Sequence, residues 1–264
     1  MIAISRRPGR DASVVADREL RDLWVGGRGL ALSFSFSVLL SVIAYLVATN
    51  RTLNFLEHRE TVNLILQVAI AVGALLTLLA GADAFSGERE RGTLESLLLT
   101  PASRLGLTAG KLLAALSLWA AAFVITLPYV WFLARGVGIV GVAVLTGAVV
   151  GSLLALALGS LGMLISVFTG SNRVSLSLSL FLLLALFVPT QLPSGAQKGW
   201  LGGALLRIDP ITAGEHYVGK ILVDSHAWTE DISWLLSPTI AAVVLTAVAL
   251  AVGTRFVRLE RGAA

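Results

Sequence analysis

Few residues in this chain could do covalent chemistry. It has three histidines, His58, His216 and His226, and no cysteine, so thiolate nucleophiles, thiolate metal sites and disulfides are excluded. Ser160 sits in the string GSLG (159–162), but a serine nucleophile needs an adjacent base, and the surrounding apolar run carries no His, Asp, Glu or Lys. GEHYVGK (214–220) matches the G-x-x-x-x-G-K part of a phosphate-binding loop, yet Ile221 stands where the magnesium-binding hydroxyl belongs. The chain is therefore expected to be no enzyme and to bind no cofactor or metal of its own.

The dense charge lies elsewhere, in AFSGERERGTLESLLLTPASR (84–104), where Glu88, Arg89, Glu90 and Arg91 alternate in sign. Gly92 breaks the rhythm. From Thr93 to Leu99 the spacing predicts a short helix with Leu94, Leu97 and Leu98 on one face and Glu95 off it, ended after Thr100 by Pro101, because a residue before proline disfavours helical geometry.

What must position this stretch is a set of long apolar segments. The chain of 264 residues is 56% hydrophobic and 14% charged, with a mean hydropathy of +0.85; a soluble domain is about 25% charged. Six segments stand out, at 30–48, 62–82, 112–133, 137–167, 174–188 and 235–256, each free of charge until Arg255. Lipid leaves no partner for unpaired backbone groups, so helices are the economical reading. The predicted fold is all-α: a polytopic membrane protein with six transmembrane helices forming a domain over 30–264. The fourth segment is longer than a bilayer needs and must tilt, kink or project.

Residues 1–29 lack the apolar core and cleavage site of a signal peptide. Within them DASVVADRELRDLW (11–24) places Ala16, Leu20, Leu23 and Trp24 on one face, which predicts an amphipathic helix suited to a membrane surface. The loop 190–233 mixes apolar and charged residues and predicts short amphipathic helices at the outer interface. Of the 20 Lys and Arg residues, 14 fall on one set of alternating loops and six on the other. Cytoplasmic loops carry the excess, so both termini and the 84–104 loop are expected in the cytoplasm. The net charge of +4 is thus a matter of topology, and no nucleic-acid partner is expected. Arg104 and Lys111 are expected near lipid head groups.

Ala143, Gly147, Gly151, Ala155 and Gly159 recur every fourth residue in the fourth segment. Small residues at that spacing let a helix approach closely, either from the same chain or from a second copy.

The string GERERGTLESLLLTPASRLGLTAGKLL (87–113) closely resembles the signature of ABC-2 type transporter permeases: alternating charges, G-T-L-E, a leucine pair, T-P, S-R, and a G-K entering the next span. The rest agrees in layout, with the RELRDLW lead-in, six spans and a long loop before the last. The resemblance implies the membrane-spanning subunit of an ATP-driven transporter, by family habit an exporter, in the plasma membrane of a bacterium or archaeon. It implies a partner ABC ATPase in two copies, which would hold the ATP and Mg, and a second permease copy as homodimer or related heterodimer. Glu88 to Leu99 would be the coupling helix, with Glu88, Arg89, Glu90, Arg91 and Glu95 available for complementary charges. Ser171, Asn172 and Arg173 would form a second, smaller contact. The rival readings are a six-span scaffold without transport activity and an ion-coupled carrier, the latter disfavoured by spans that lack ionisable residues.

Overall fold

The computed structural model describes residues 8–49, 58–99, 102–188 and 199–256. It is all-helical, with no strand among the described residues. In chain order the helices are α1 (Pro8–Trp24), α2 (Arg28–Thr49), α3 (His58–Asp83), α4 (Ser86–Glu90), α5 (Leu94–Leu98), α6 (Arg104–Ala134), α7 (Val140–Phe168), α8 (Asn172–Phe187), α9 (Trp200–Ile208), α10 (Pro210–Leu222) and α11 (Leu236–Phe256), the last preceded by a 3-10 turn (Ile232–Leu235).

Five of these are long and apolar enough to cross a membrane: Arg28–Val47, Arg59–Asp83, Arg104–Ala134, Val140–Phe168 and Ile232–Arg255. The remaining expected span corresponds to α8, which has 16 residues and so measures about 24 Å, short of a hydrocarbon core of about 30 Å. α7 is one unbroken helix of 29 residues, about 43 Å long.

α3 and α7 form the centre, and their contact is set by missing side chains. A Cβ at Gly162 would lie 2.2 Å from the carbonyl oxygen of Leu78, and one at Gly81 would lie 2.3 Å from that of Gly159. The helices thus meet backbone to backbone, as small residues permit. The stripe beside this crossing is covered from within the chain. Gly147 receives Leu66, Gly151 receives the Trp119 ring and Gly159 receives Thr77, while Ala143 and Ala155 are fully buried. Hydroxyl and indole groups tie the helices laterally: Trp119 Nε1 donates to Ser152 Oγ at 3.0 Å, and Ser160 and Thr246 share a bond of 2.9 Å. α2 and α11 lie at the edge, each with 17% of its apolar window buried, leaving Phe34, Leu46, Ile240 and Val243 exposed.

Both flanking helices are anchored on the bundle. α6 begins eight residues before the expected span, at Arg104, because Ser103 caps it by accepting from Gly106 N at 3.2 Å. α1 packs on this extension: Val15 and Ala16 are buried, a Cβ at Gly110 would lie 2.7 Å from Val15, and Trp24 Nε1 donates to Ser117 Oγ at 3.0 Å. α10 likewise packs one face on the bundle. Asp209 caps it, its Oδ2 accepting from Thr212 N at 2.7 Å, and Pro210 opens it. Its face of Ile211, Tyr217, Val218, Ile221 and Leu222 is buried in the cluster that holds Val62, Leu66, Val150 and Leu154. Gly214 lies against Val150 and Leu154, about 15–21 Å along α7 from its Val140 end. The burial of Tyr217 and the Gly214 approach explain the depth: a helix with one apolar and one notched face gains more from the bundle than from its rim.

Candidate functional site

The described residues of the 84–104 stretch close one end of the bundle, where α3, α7 and α11 end and α6 and α8 begin. It is not the single helix expected from Glu88 to Leu99. α4 runs to Glu90, and the chain then turns through Arg91, Gly92 and Thr93 into α5. Gly92 has φ +69°, a left-handed geometry that glycine adopts without a Cβ penalty. Thr93 N closes the turn on Glu88 O at 3.0 Å. Leu94 then points inward, buried with Phe85, Leu112, Met163 and Val167. Leu97 and Leu98 belong to α5, though their side chains are outside the description, and Thr100 and Pro101 lie outside the described residues.

Each of the four alternating charges has a partner within the chain, while Glu90 and Arg91 stay exposed. Each goes to a different helix. Glu88 Oε1 meets the ammonium of Lys111 on α6 at 3.3 Å, and the same ammonium meets Glu19 Oε1 on α1 at 2.8 Å. Arg89 donates to the carbonyl of Thr169 and, at 3.5 Å, to that of Val167, at the C-terminus of α7. Glu90 Oε2 accepts from Asn172 N, the first residue of α8, at 3.0 Å. Arg91 pairs with Asp83 at the end of α3 at 3.5 Å, and Arg28 of α2 reaches the same Asp83 oxygen at 3.4 Å.

The alternation of sign now has a physical reason. A helix C-terminus presents unpaired carbonyls and partial negative charge, and a helix N-terminus presents unpaired amides and partial positive charge. α7 ends and α8 begins within four residues, so the adjacent Arg89 and Glu90 meet both poles of one turn. Each contact of this kind is worth about 0.3–2 kcal/mol. Hydroxyls complete the joint: Ser166 Oγ accepts from Phe85 N at 2.9 Å and from Ser86 N at 2.8 Å, while Ser86 Oγ donates to Asn172 Oδ1 at 3.1 Å. The loop 84–104 and the turn holding Ser171, Asn172 and Arg173 are thereby one surface rather than two separate contacts.

Lys111 also departs from expectation. Its side chain is 2% exposed, so it is a buried counter-ion and not a head-group anchor. Burial pushes the Glu88 carboxyl up, but the Lys111 charge, hydrogen bonds from Thr93 and Lys111, and the more distant Arg91 outweigh it and hold the group below the ordinary carboxylate range. Between α1 and the loop lies a cleft of about 920 Å³ lined by Arg18, Glu19, Arg28, Asp83, Glu88 and Lys111 among others. Its charges are largely matched to one another, with Arg18 reaching Asp22 at 4.0 Å. The outward surface comprises Glu90, Arg91, Gly92, Thr93, Glu95, Ser96, Leu99, Arg104 and Arg173, all exposed.

The GEHYVGK string is part of helix α10, so it forms no phosphate-cradling loop. The contributions of Ser86, Ser166 and Lys111 were not visible in the sequence, since only the meeting of α3, α6, α7 and α8 reveals them.

The family model for the ABC-2 family transporter protein matches residues 14–262, which includes the larger part of α1, the charged loop and every apolar helix. The chain belongs to the ABC-2 transporter family. No curated protein matches it as a relative. As an ABC-2 permease-type chain it is a membrane transport component and not itself catalytic, and members of the family generally work with an ABC ATPase.

Proposed function

We propose that this chain is the permease subunit of an ATP-driven exporter and couples to a separate ATPase through the 84–104 surface. In this reading both termini and that surface are cytoplasmic, as the distribution of Lys and Arg favours. α8 is the fifth of six spans. Two copies of this chain, or this chain and a related one, assemble with two ATPase subunits, which hold ATP and Mg. The membrane is the plasma membrane, with α1 lying at its inner surface.

One observation carries the reading. The loop is braced to α1, α3, α6, α7 and α8 by ion pairs and helix-end contacts, so a push on it reaches most of the bundle. Closure of an ATPase pair is a rigid-body motion, and a rigidly attached surface passes such a motion on where a mobile one absorbs it. α5 is the projecting part, and Glu95, Ser96 and Leu99 are its exposed residues. The internal partners of Glu88, Arg89, Glu90 and Arg91 make Glu95 the residue best placed for partner charge.

Purification from the source membrane followed by ATPase assay tests this. The wild-type chain retains an ATP-hydrolysing subunit, and Glu95→Lys lowers retention or substrate-stimulated hydrolysis at least tenfold while leaving insertion and melting unchanged. Full activity in Glu95→Lys, or a chain that carries no ATPase, refutes the coupling assignment and favours a scaffold.

A further inference from the structure

At the end of the bundle opposite the charged loop, α10 leaves its second face unburied. Thr212, Glu215, His216 and Gly219 line a cavity of about 390 Å³ with Gln67 of α3 and Trp234, within the range of small-molecule sites. The cavity reaches into the bundle: Gln67 Nε2 donates to Glu215 O at 3.4 Å, about 14 Å along α3 from His58.

The charges here are not matched. Lys220 is paired with Asp224 at 2.7 Å. Arg207 lies over the Trp234 ring at 5.2 Å, and the His216 ring stacks on the same indole at 4.0 Å. Glu215, half-buried, has no cation within ion-pair distance among the described residues. Burial and the nearby Asp209 carboxylate push the Glu215 carboxyl up to about 7, so above that pH, with imidazole neutral and Arg207 engaged over the Trp234 ring, the lining residues carry one uncompensated negative charge. Behind Gly219 stands Asn63, outside the lining, with its Nδ2 4.0 Å from where a Cβ at Gly219 would stand. A partly buried carboxylate without a counter-ion is costly. The walls offered by Leu206, Val223 and Trp234 are apolar.

We propose that this cavity binds an organic cation with an apolar body, with Glu215 as counter-charge. The aliphatic and aromatic walls take the body, and the Glu215 carboxylate takes the charge. An anion of the same shape is rejected, since it would meet Glu215 without compensation. Binding itself does not depend on the transporter reading; only the identification of the cation as transported cargo rests on it.

The test uses the full chain in lipid nanodiscs, with tetraphenylphosphonium as the cation and tetraphenylborate as the anion of like shape. Binding is measured at about pH 8, above the ordinary imidazole pKa of about 6.5, against protein-free discs. Tetraphenylphosphonium binds saturably and tetraphenylborate does not. Glu215→Gln weakens the cation at least tenfold. Gly219→Leu fills the cavity and abolishes binding; it is a helix-favouring change at a position where no atom lies closer than 4.0 Å to the new Cβ, so the variant keeps the wild-type melting temperature. No saturable cation binding, equal affinity for the two ions, or undiminished binding in folded Gly219→Leu or Glu215→Gln overturns the proposal. Cation binding without ATP-driven movement of that cation would instead overturn its identification as cargo alone.

Discussion

Replacing Lys111 with methionine would keep most of its volume and remove its charge, leaving Glu19 and Glu88 to share a site from which the ammonium, now 2.8 Å and 3.3 Å from them, has gone. The Lys111 side chain is 2% exposed, while the carboxylates are 19% and 12% exposed. Removing one partner of a fully buried pair costs about 3–5 kcal/mol. Here the carboxylates keep a little water and can take up a proton, which reduces the expected loss to about 2–3 kcal/mol. For a chain of this size each kcal/mol lowers the melting temperature by about 2–4 °C, so a fall of about 4–12 °C is expected. The assay is thermal unfolding of the detergent-solubilised protein near neutral pH, run as a double-mutant cycle with Glu88→Gln. The two changes together should cost less than the sum of each alone by about 1–3 kcal/mol, as for residues in contact. A Lys111→Met protein that melts within about 2 °C of the parent, or a strictly additive cycle, would refute the triad that joins α1, the loop and α6.

Two further outcomes follow from the same structure. The Glu88 carboxyl is held below its ordinary value of 4.5, so its stabilising contribution is complete above that pH and is lost as the pH falls through the lowered folded value; wild-type melting temperature should drop on that acid limb, and Glu88→Gln should flatten it, with parallel curves counting against the assignment. Gly162→Ala puts a methyl 2.2 Å from Leu78 O, against backbone that cannot rotate away, and should destabilise by about 1–3 kcal/mol; in contrast Gly136→Ala, with open space around it, should leave the melt unchanged.

Much of this architecture is legible in the residues because lipid imposes a simple rule. The apolar segments at 30–48 and 235–256 match α2 and α11 to within two residues, since a long apolar run has no other economical state. Boundaries fail where charge lies inside a helix. Arg104 and Lys111 mask the first eight residues of α6, although Ser103 as a cap preceding Leu105 and Leu107 is a usable start signal. Destinations fail more widely. The spacing of Glu88, Arg89, Glu90 and Arg91 shows that they share a short segment but not that they reach α6, α7, α8 and α3, because those contacts depend on how the helices assemble. The same limit applies to α10: the repeat of Ile211, Gly214, Tyr217, Val218 and Ile221 reads as a helix with an apolar face, while its depth depends on the notch it finds against Val150 and Leu154.

The central claim, that α5 is the surface an ATPase grips, is open to direct measurement because the chain has no cysteine and accepts a unique one. Glu95→Cys carrying a short photo-crosslinker, activated in the source membrane, should yield an adduct with a polypeptide that hydrolyses ATP, in an amount that changes when ATP is added. The same label at Asp224→Cys, at the opposite end, should not capture that polypeptide. Adducts from position 95 with lipid alone, or an ATPase captured equally from position 224, would contradict the account.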